Sequence, residues 1–114
     1  MVSTSDGEYS LLTGLIPEYG VQSMYVGRYN NWYYTMANAL SREGYNTYAY
    51  HNHYYAYYDR DLTHENLGYD VWMGMGNGME AYVEEQWPES DLEMVEGTTQ
   101  LFLNSDAPFH VYYL

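Results

Sequence analysis

Cysteine and lysine are both absent from this sequence, and positive charge is scarce. The acidic residues number 16 and the formal net charge is -13, because the basic residues are only Arg28, Arg42 and Arg60. The absence of cysteine excludes disulfides, thiolate metal ligands and cysteine nucleophiles. The negative charge argues against nucleic acid and anionic membrane surfaces as partners, since both would repel the chain.

Long hydrophobic runs are missing as well. No window approaches the ~18 consecutive apolar residues of a membrane span, and the start of the chain lacks the pattern of a signal peptide. At 114 residues the chain has room for one domain, which would bury about two-thirds of its unfolded surface. We therefore predict a single unit without a membrane span.

The sequence is instead rich in tyrosine and in carboxylates. It has 17 tyrosines and two phenylalanines, so much of any core carries hydroxyls that need partners when buried. One acidic cluster, which could attract divalent cations but which we interpret as a solvated face, comprises Glu84, Glu85, Glu89 and Asp91. The glycines around Asn77 indicate a turn, because the lysine of a phosphate-binding loop is missing.

Three helices are indicated by capping patterns and by apolar spacing. Ser5 followed by Glu8 has the form of a capping box, and Ser90 followed by Glu93 has the same form. A four-residue apolar spacing that ends near Gly44 marks the remaining helix. The predicted helices cover about residues 6–13, 32–40 and 91–103.

Two strands follow from short aromatic or apolar runs, over residues 45–50 and 109–114. Helices that alternate with strands predict an α/β fold, with helices packed on a small, mostly parallel sheet. In such folds ligands bind beyond the carboxyl ends of the strands. His51 would leave the first strand at that end, so residues 51–61 form the candidate site loop.

Four segments of this chain, in order, resemble the lipoteichoic acid synthases and their sulfatase-like relatives. The segments are residues 4–9 (Thr-Ser-Asp-Gly-Glu-Tyr), 44–53, 57–61 and 66–70. The resemblance implies that residues 1–114 are the N-terminal portion of a sulfatase-like phosphoglycerol transferase catalytic domain, truncated at both ends. The family's enzymes are extracytoplasmic and membrane-anchored, and they move glycerol phosphate from phosphatidylglycerol to a lipoteichoic acid-type polymer with Mn²⁺ or Mg²⁺.

The resemblance also implies roles for individual residues. Thr4 matches the nucleophile, which also ligates the metal, and His51 and Arg60 match residues that contact glycerol phosphate. Tyr58 falls where some members carry a substrate-facing tryptophan, so a stacking surface is kept while the indole donor becomes a phenol. The family's other metal ligands, a glutamate upstream and an Asp-His pair downstream, match nothing in this chain. We therefore expect the chain alone to lack most of the metal site and to be inactive.

Each of these residues also has an ordinary structural interpretation. Thr4 could be a helix cap, Arg60 could pair with Asp59 or Asp61, and His51 could bond to backbone. A metal site at His51 and His53 is disfavoured, because no third ligand is evident nearby.

Two further patterns limit the chemistry. His64 and His110 are isolated and are predicted to be a helix-surface residue and a strand residue. The nucleophile pattern of sulfatases, cysteine or serine followed two residues later by proline and then arginine, does not occur. Sulfate-ester hydrolysis by that route is excluded.

A second hypothesis is that the chain is a non-catalytic, acidic, tyrosine-rich binding or interaction module. It would bind a glycan or a partner through its tyrosine-rich surface. Beside Arg60 an aromatic patch could stack on sugars or a glycerol chain, or could simply pack the loop; it comprises Tyr54, Tyr55, Tyr57 and Tyr58. A small sheet would also leave an exposed edge, through which copies of the chain could associate.

Overall fold

A three-stranded parallel sheet with helices on both faces organises the computed structural model, which describes residues 3–114. The strands are β1 (Asn46–Tyr54), β2 (Val71–Met75) and β3 (Phe109–Tyr113). The α-helices are α1 (Thr4–Thr13), α2 (Ser23–Val26), α3 (Met36–Arg42), α4 (Arg60–Asn66) and α5 (Asp91–Leu103), and short 3₁₀ turns span Tyr57–Asp59 and Met79–Ala81. Within residues 3–114, none of the helices has the length and apolarity needed to cross a membrane.

Strand β1 lies in the centre of the sheet, and β2 and β3 pair with it in parallel on either side. The register with β2 is irregular: Tyr50 lies opposite Met73, but Tyr54 lies opposite Met75. Four positions of β1 are therefore matched by two of β2, so β1 bulges at residues 51–53. This bulge shapes the candidate site.

Gly74 permits the close approach of the two strands at this bulge. A Cβ atom at position 74 would lie 2.7 Å from the Cα of Tyr55 and 2.8 Å from the carbonyl oxygen of His53. Both neighbours are backbone atoms, which cannot turn aside as a side chain can.

Side chains alternate along the strands and form one apolar cluster on each face of the sheet. Ala49 belongs to the cluster that contains Leu12 and Leu67, whereas Tyr50 belongs to the cluster with Met94 and Phe102. The predicted need of buried tyrosine hydroxyls for partners is met in part. The hydroxyls of Tyr69 and Tyr113 bond to His110 and Thr98, while that of fully buried Tyr50 has no partner in the described chain.

The predicted α/β fold with a small parallel sheet is confirmed, and so are the helix over 91–103 and the strand that begins at Phe109. The first helix begins earlier than predicted, at Thr4, because Ser3 and Asp6 form its capping box. The predicted box of Ser5 and Glu8 is wrong, since Glu8 is buried.

Two other boundaries differ from the predictions, and two elements were not predicted. Helix α3 is capped by Thr35, whose side chain accepts from the amide of Asn38, so Trp32 precedes the helix. Strand β1 continues to Tyr54, so His51 lies inside it and not at its end. Strand β2 and helix α4 were not predicted, and α4 begins within the segment predicted as the site loop.

Candidate active site

One open pocket of about 530 Å³ lies near the C-terminal part of β1. Its lining includes Thr4, His51, Tyr58 and Arg60. These four come from the start of α1, the bulge of β1, the 3₁₀ turn and the start of α4. The structure thus brings together all four residues that the family resemblance singled out. Thr4 and Tyr58 also line a smaller adjoining pocket of about 350 Å³.

Thr4 is the first residue of α1, and its side chain is exposed. The helix cap is Ser3, whose hydroxyl accepts from the amide of Asp6 at 3.2 Å while the Asp6 carboxylate accepts from the amide of Ser3 at 3.1 Å. Because Ser3 performs the capping, the hydroxyl of Thr4 is not needed for it. Thr4 lies at the positive end of the helix dipole, where a phosphate is favoured.

Arg60 is held by a buried ion pair with Glu8. Its Nη2 and Nε donate to Glu8 Oε2 at 2.8 and 3.2 Å, and the two side chains are only 5% and 2% exposed. Burial would raise the pKa of Glu8, but its contacts with His64 and Arg60 outweigh burial and leave that pKa below its ordinary value. Arg60 therefore does not pair with Asp59 or Asp61; Asp59 pairs instead with Arg28.

His64 lies against both residues of this ion pair. It is wholly buried, and its ring stacks on that of Trp72 with centroids 4.2 Å apart. Its Nδ1 lies 3.1 Å from the carbonyl oxygen of Arg60, and its Nε2 lies 3.4 Å from Glu8 Oε1. The prediction that His64 is a helix-surface residue is therefore wrong. Helix α4 places it one turn after Arg60, on the inward face.

His51 is a neutral hydrogen-bond donor in this pocket. Its Nδ1 accepts from the amide of His53 at 3.1 Å, which leaves the ring proton on Nε2. Burial, followed by the charge of Arg60, lowers the pKa of His51 to about 4. The backbone bond considered from sequence does form, and it sets the tautomer of a residue that also lines the pocket.

Tyr58 is presented to the pocket by an unusual backbone. Tyr58 and Asp59 have φ values of 57° and 55°, in the left-handed region that costs a non-glycine residue about 1–2 kcal/mol. The ion pair of Asp59 with Arg28 supports this turn. The half-exposed Tyr58 ring lies with its centroid 5.6 Å from the guanidinium carbon of Arg60.

A second wall of the pocket was not predicted from the sequence. It is formed by His53, Trp87, Glu89 and Asp91, and we call it the Trp87 wall. The Nδ1 of His53 and Oε1 of Glu89 are 2.6 Å apart. The interpretation of Glu89 as part of a solvated acidic face is therefore wrong. The pairing spans 36 positions, so no local pattern could have indicated it.

The Trp87 wall is fastened to β1 through Asn52. The side-chain amide of Asn52 donates to the carbonyl oxygen of Glu89 at 3.3 Å and to Oδ1 of Asp91 at 2.7 Å. The bulge of β1 therefore orients His51 and His53 and also anchors the segment that leads into α5.

The sulfatase family model matches residues 2–114. The chain belongs to the sulfatase family. Among solved structures it is similar to the lipoteichoic acid synthase LtaP from Listeria monocytogenes, with a TM-score of 0.85 and 17% identity. The match covers 99% of this chain and 28% of that one, and at this identity it shows the fold alone. No curated protein sequence matches the chain.

The donors of this sulfatase-family chain do not by themselves fit the Mn²⁺ or Mg²⁺ that the family resemblance implies. Within residues 3–114, no group of three or more His, Asp or Glu side chains is close enough together to hold a metal ion. Thr4 offers a single hydroxyl, whereas such ions take about six oxygen ligands. His51 and His53 also do not form a metal pair, because His51 Nδ1 is engaged by backbone and His53 Nδ1 by Glu89.

Proposed function

We propose that this chain is the N-terminal portion of a phosphoglycerol transferase catalytic domain, in which Thr4 is the nucleophile. The whole domain would move glycerol phosphate from phosphatidylglycerol to a lipoteichoic acid-type polymer. The observation that carries the proposal is the convergence of Thr4, His51, Tyr58 and Arg60 on one pocket. The sulfatase family match and the shared fold support it.

The phosphate would bind between Arg60 and His51. Glu8 occupies one edge of the Arg60 guanidinium, and Nη1 lies 3.4 Å from the carbonyl oxygen of Tyr57, so the group is fixed before a ligand arrives. Its remaining N–H donors suit phosphate oxygens. His51 would add an Nε2–H donor. Because its pKa is about 4, the ring stays neutral near pH 7 and takes no proton from the substrate.

Thr4 would attack the phosphorus atom of the phosphatidylglycerol head group. A bond forms between Thr4 Oγ1 and phosphorus, the bond from phosphorus to the diacylglycerol oxygen breaks, and diacylglycerol leaves with the proton that Thr4 loses. A hydroxyl of the polymer then bonds to the same phosphorus, the bond from phosphorus to Thr4 Oγ1 breaks, and Thr4 recovers the proton that this hydroxyl loses. Tyr58 would pack against the glycerol carbons.

The metal ligands and the membrane anchor of the family would come from segments outside this chain. This sulfatase-family chain spans 28% of the LtaP structure. We therefore expect the chain by itself to bind the head group without turning it over. An open reading frame that continues on both sides of the gene segment, with a glutamate upstream and an Asp-His pair downstream, would support this.

Titration of the 114-residue chain with sn-glycerol 3-phosphate, followed by NMR, tests the binding role. Arg60→Lys keeps the charge but loses the fork, so its dissociation constant should rise about tenfold. Arg42→Lys is the matched control, because Arg42 donates to the carbonyl oxygen of Tyr33 and does not line the pocket. Equal affinities for Arg60→Lys and Arg42→Lys would contradict the proposal.

The nucleophile is tested separately with a labelled phosphatidylglycerol analogue and the full-length protein. A glycerophosphate adduct on Thr4, absent from Thr4→Ala, is the expected product. An adduct on another residue, or equal labelling of Thr4→Ala, would assign the nucleophile elsewhere.

The second candidate function is that of a non-catalytic module that associates through the sheet. Strands β2 and β3 each pair on one side only within residues 3–114, so both outer edges offer unpaired backbone groups. Light scattering should then give a mass above that of one chain. A monomer at all concentrations would eliminate association through these edges.

A further inference from the structure

We infer that the Trp87 wall is a subsite for a neutral, hydroxyl-rich group, a polyol or sugar unit, beside the phosphate-binding side of the pocket. This inference rests on the proposed function and names the kind of acceptor or donor unit that the pocket would hold. The two sides of the pocket differ in chemistry: one carries Arg60 and His51, the other a bare indole ring and two carboxylates.

Trp87 provides an apolar platform. Its side chain is 82% exposed, although it lines the pocket, and its ring meets that of His53 edge to face at 5.9 Å. Other aromatic rings of the chain are as exposed, but Trp87 shares its pocket with two oriented carboxylates, Glu89 and Asp91. The C–H faces of sugars and polyols stack on such rings.

The carboxylates of the wall are fixed and still have acceptor capacity. Oε1 of Glu89 is engaged by His53, and Oδ1 of Asp91 accepts from Asn52. Within residues 3–114, the second oxygen of each carboxylate forms no hydrogen bond with another side chain. A carboxylate has two oxygens with about four acceptor sites, so neighbouring hydroxyls can donate to each of them.

The charges of this wall favour a neutral ligand over a charged one. A phosphate would be repelled by Glu89 and Asp91 and is better placed at Arg60. A cation would find one oxygen of each carboxylate already taken, by His53 and by Asn52, and Asp91 lies in the first turn of α5, at the positive end of the helix dipole. Hydroxyl groups need no opposite charge and satisfy the remaining acceptors.

The pocket has room for both groups together. Its volume of about 530 Å³ lies within the range of small-molecule sites, roughly 300–1,000 Å³. The bulge of β1 also couples the two sides, since it carries His51 toward one and His53 toward the other. A glycerol phosphate unit at Arg60 would leave the Trp87 wall open to the neighbouring polyol or sugar.

Saturation-transfer NMR titrations on the 114-residue chain test this subsite. The probes are maltose as a neutral sugar, choline chloride as a cation and sn-glycerol 3-phosphate as the anion. We expect Trp87→Ala to weaken maltose binding about tenfold, whereas Trp87→Phe keeps most of it. Glu89→Gln should weaken it severalfold, because a charged acceptor is lost.

Tyr34→Ala is the matched control, since Tyr34 is 83% exposed and does not line the pocket. It should leave maltose binding unchanged, and circular dichroism should show all variants folded. The inference would be overturned if Trp87→Ala left maltose binding unchanged or if choline bound more tightly than maltose. It would also be overturned if maltose did not bind at high millimolar concentration.

The same titrations separate this inference from the proposed function. Trp87→Ala should leave the affinity for sn-glycerol 3-phosphate within twofold, while Arg60→Lys should lower it and spare maltose. If Arg60→Lys lowers phosphate binding but maltose does not bind, the subsite is wrong and the proposed function stands. If maltose binds at Trp87 but phosphate binding ignores Arg60→Lys, the phosphate role is wrong and the wall remains a sugar site.

Discussion

Glu8 and Arg60 lie 52 positions apart in the sequence and form a buried ion pair 2.8 Å long. The pair joins the first turns of α1, which carries Thr4, to the start of α4. One contact therefore sets the spacing between the proposed nucleophile and the proposed phosphate-binding group. Glu8 acts here as a positioning residue, because it touches Arg60 and does not line the pocket.

Glu8→Gln should lower the free energy of unfolding by about 3 kcal/mol, since it leaves the buried Arg60 charge uncompensated. Urea unfolding followed by circular dichroism measures this. Glu43→Gln is the control, because Glu43 is exposed after α3, and it should change stability by less than ~0.5 kcal/mol. Equal stability of the two variants would show that the ion pair is not the link between α1 and α4.

The protein should lose stability as the pH falls from 6.5 towards 4. The pKa of His51 is lowered from 6.5 to about 4, so between these values the unfolded chain binds a proton that the folded chain does not. Unfolding is therefore favoured as the pH falls through this window, and the His51 contribution is fully present above pH 6.5. Thermal unfolding over this range measures the slope.

His51→Gln should flatten that slope without abolishing it. His110 also has a lowered pKa, because of burial, and contributes in the same direction. The carboxylate of Glu8 has a lowered pKa too, and its contribution is lost only as the pH falls below its ordinary value of 4.5. An unchanged slope in His51→Gln between pH 6.5 and 5 would show that His51 titrates normally in the folded chain.

Gly74→Ala should destabilise the chain by about 2 kcal/mol, because its Cβ would press on the backbone of Tyr55 and His53. Gly7→Ala is the matched control. A Cβ at Gly7 meets nothing within 4 Å, and the residue lies inside α1. That change should stabilise the chain by up to about 1 kcal/mol, since alanine favours the helix. Similar melting temperatures for the two variants would contradict the close approach of β1 and β2.

Ser3→Ala should cost about 1 kcal/mol of stability, whereas Thr4→Ala should cost less than ~0.5 kcal/mol. The reason is that Ser3 caps α1 and the exposed Thr4 does not. Chemical denaturation of both variants measures the difference. A larger loss for Thr4→Ala would mean that its hydroxyl serves the helix and is not free for chemistry.

Local patterns in the sequence determined several elements of this fold. Helix α5 follows from Ser90 and Glu93, and the apolar run that begins at Phe109 follows from composition. Capping bonds span three residues and apolar alternation spans a few more, so both can be recognised in a short window. The match of Thr4, His51, Tyr58 and Arg60 to family motifs was also available from sequence, since motifs are local.

Only the tertiary structure decided which polar residues turn inward. Glu8 has the spacing of a capping residue and Glu89 lies in an acidic run, yet Glu8 meets Arg60 and Glu89 meets His53. His64 gives no sign in the sequence that Trp72 will cover it. A carboxylate or an imidazole is stable inside only where an opposite charge or a donor arrives from elsewhere in the chain, and that arrival depends on how the strands pair. The sequence therefore determined several of the elements and the motif residues, and the packing of β1 against its neighbours decided how they form one pocket.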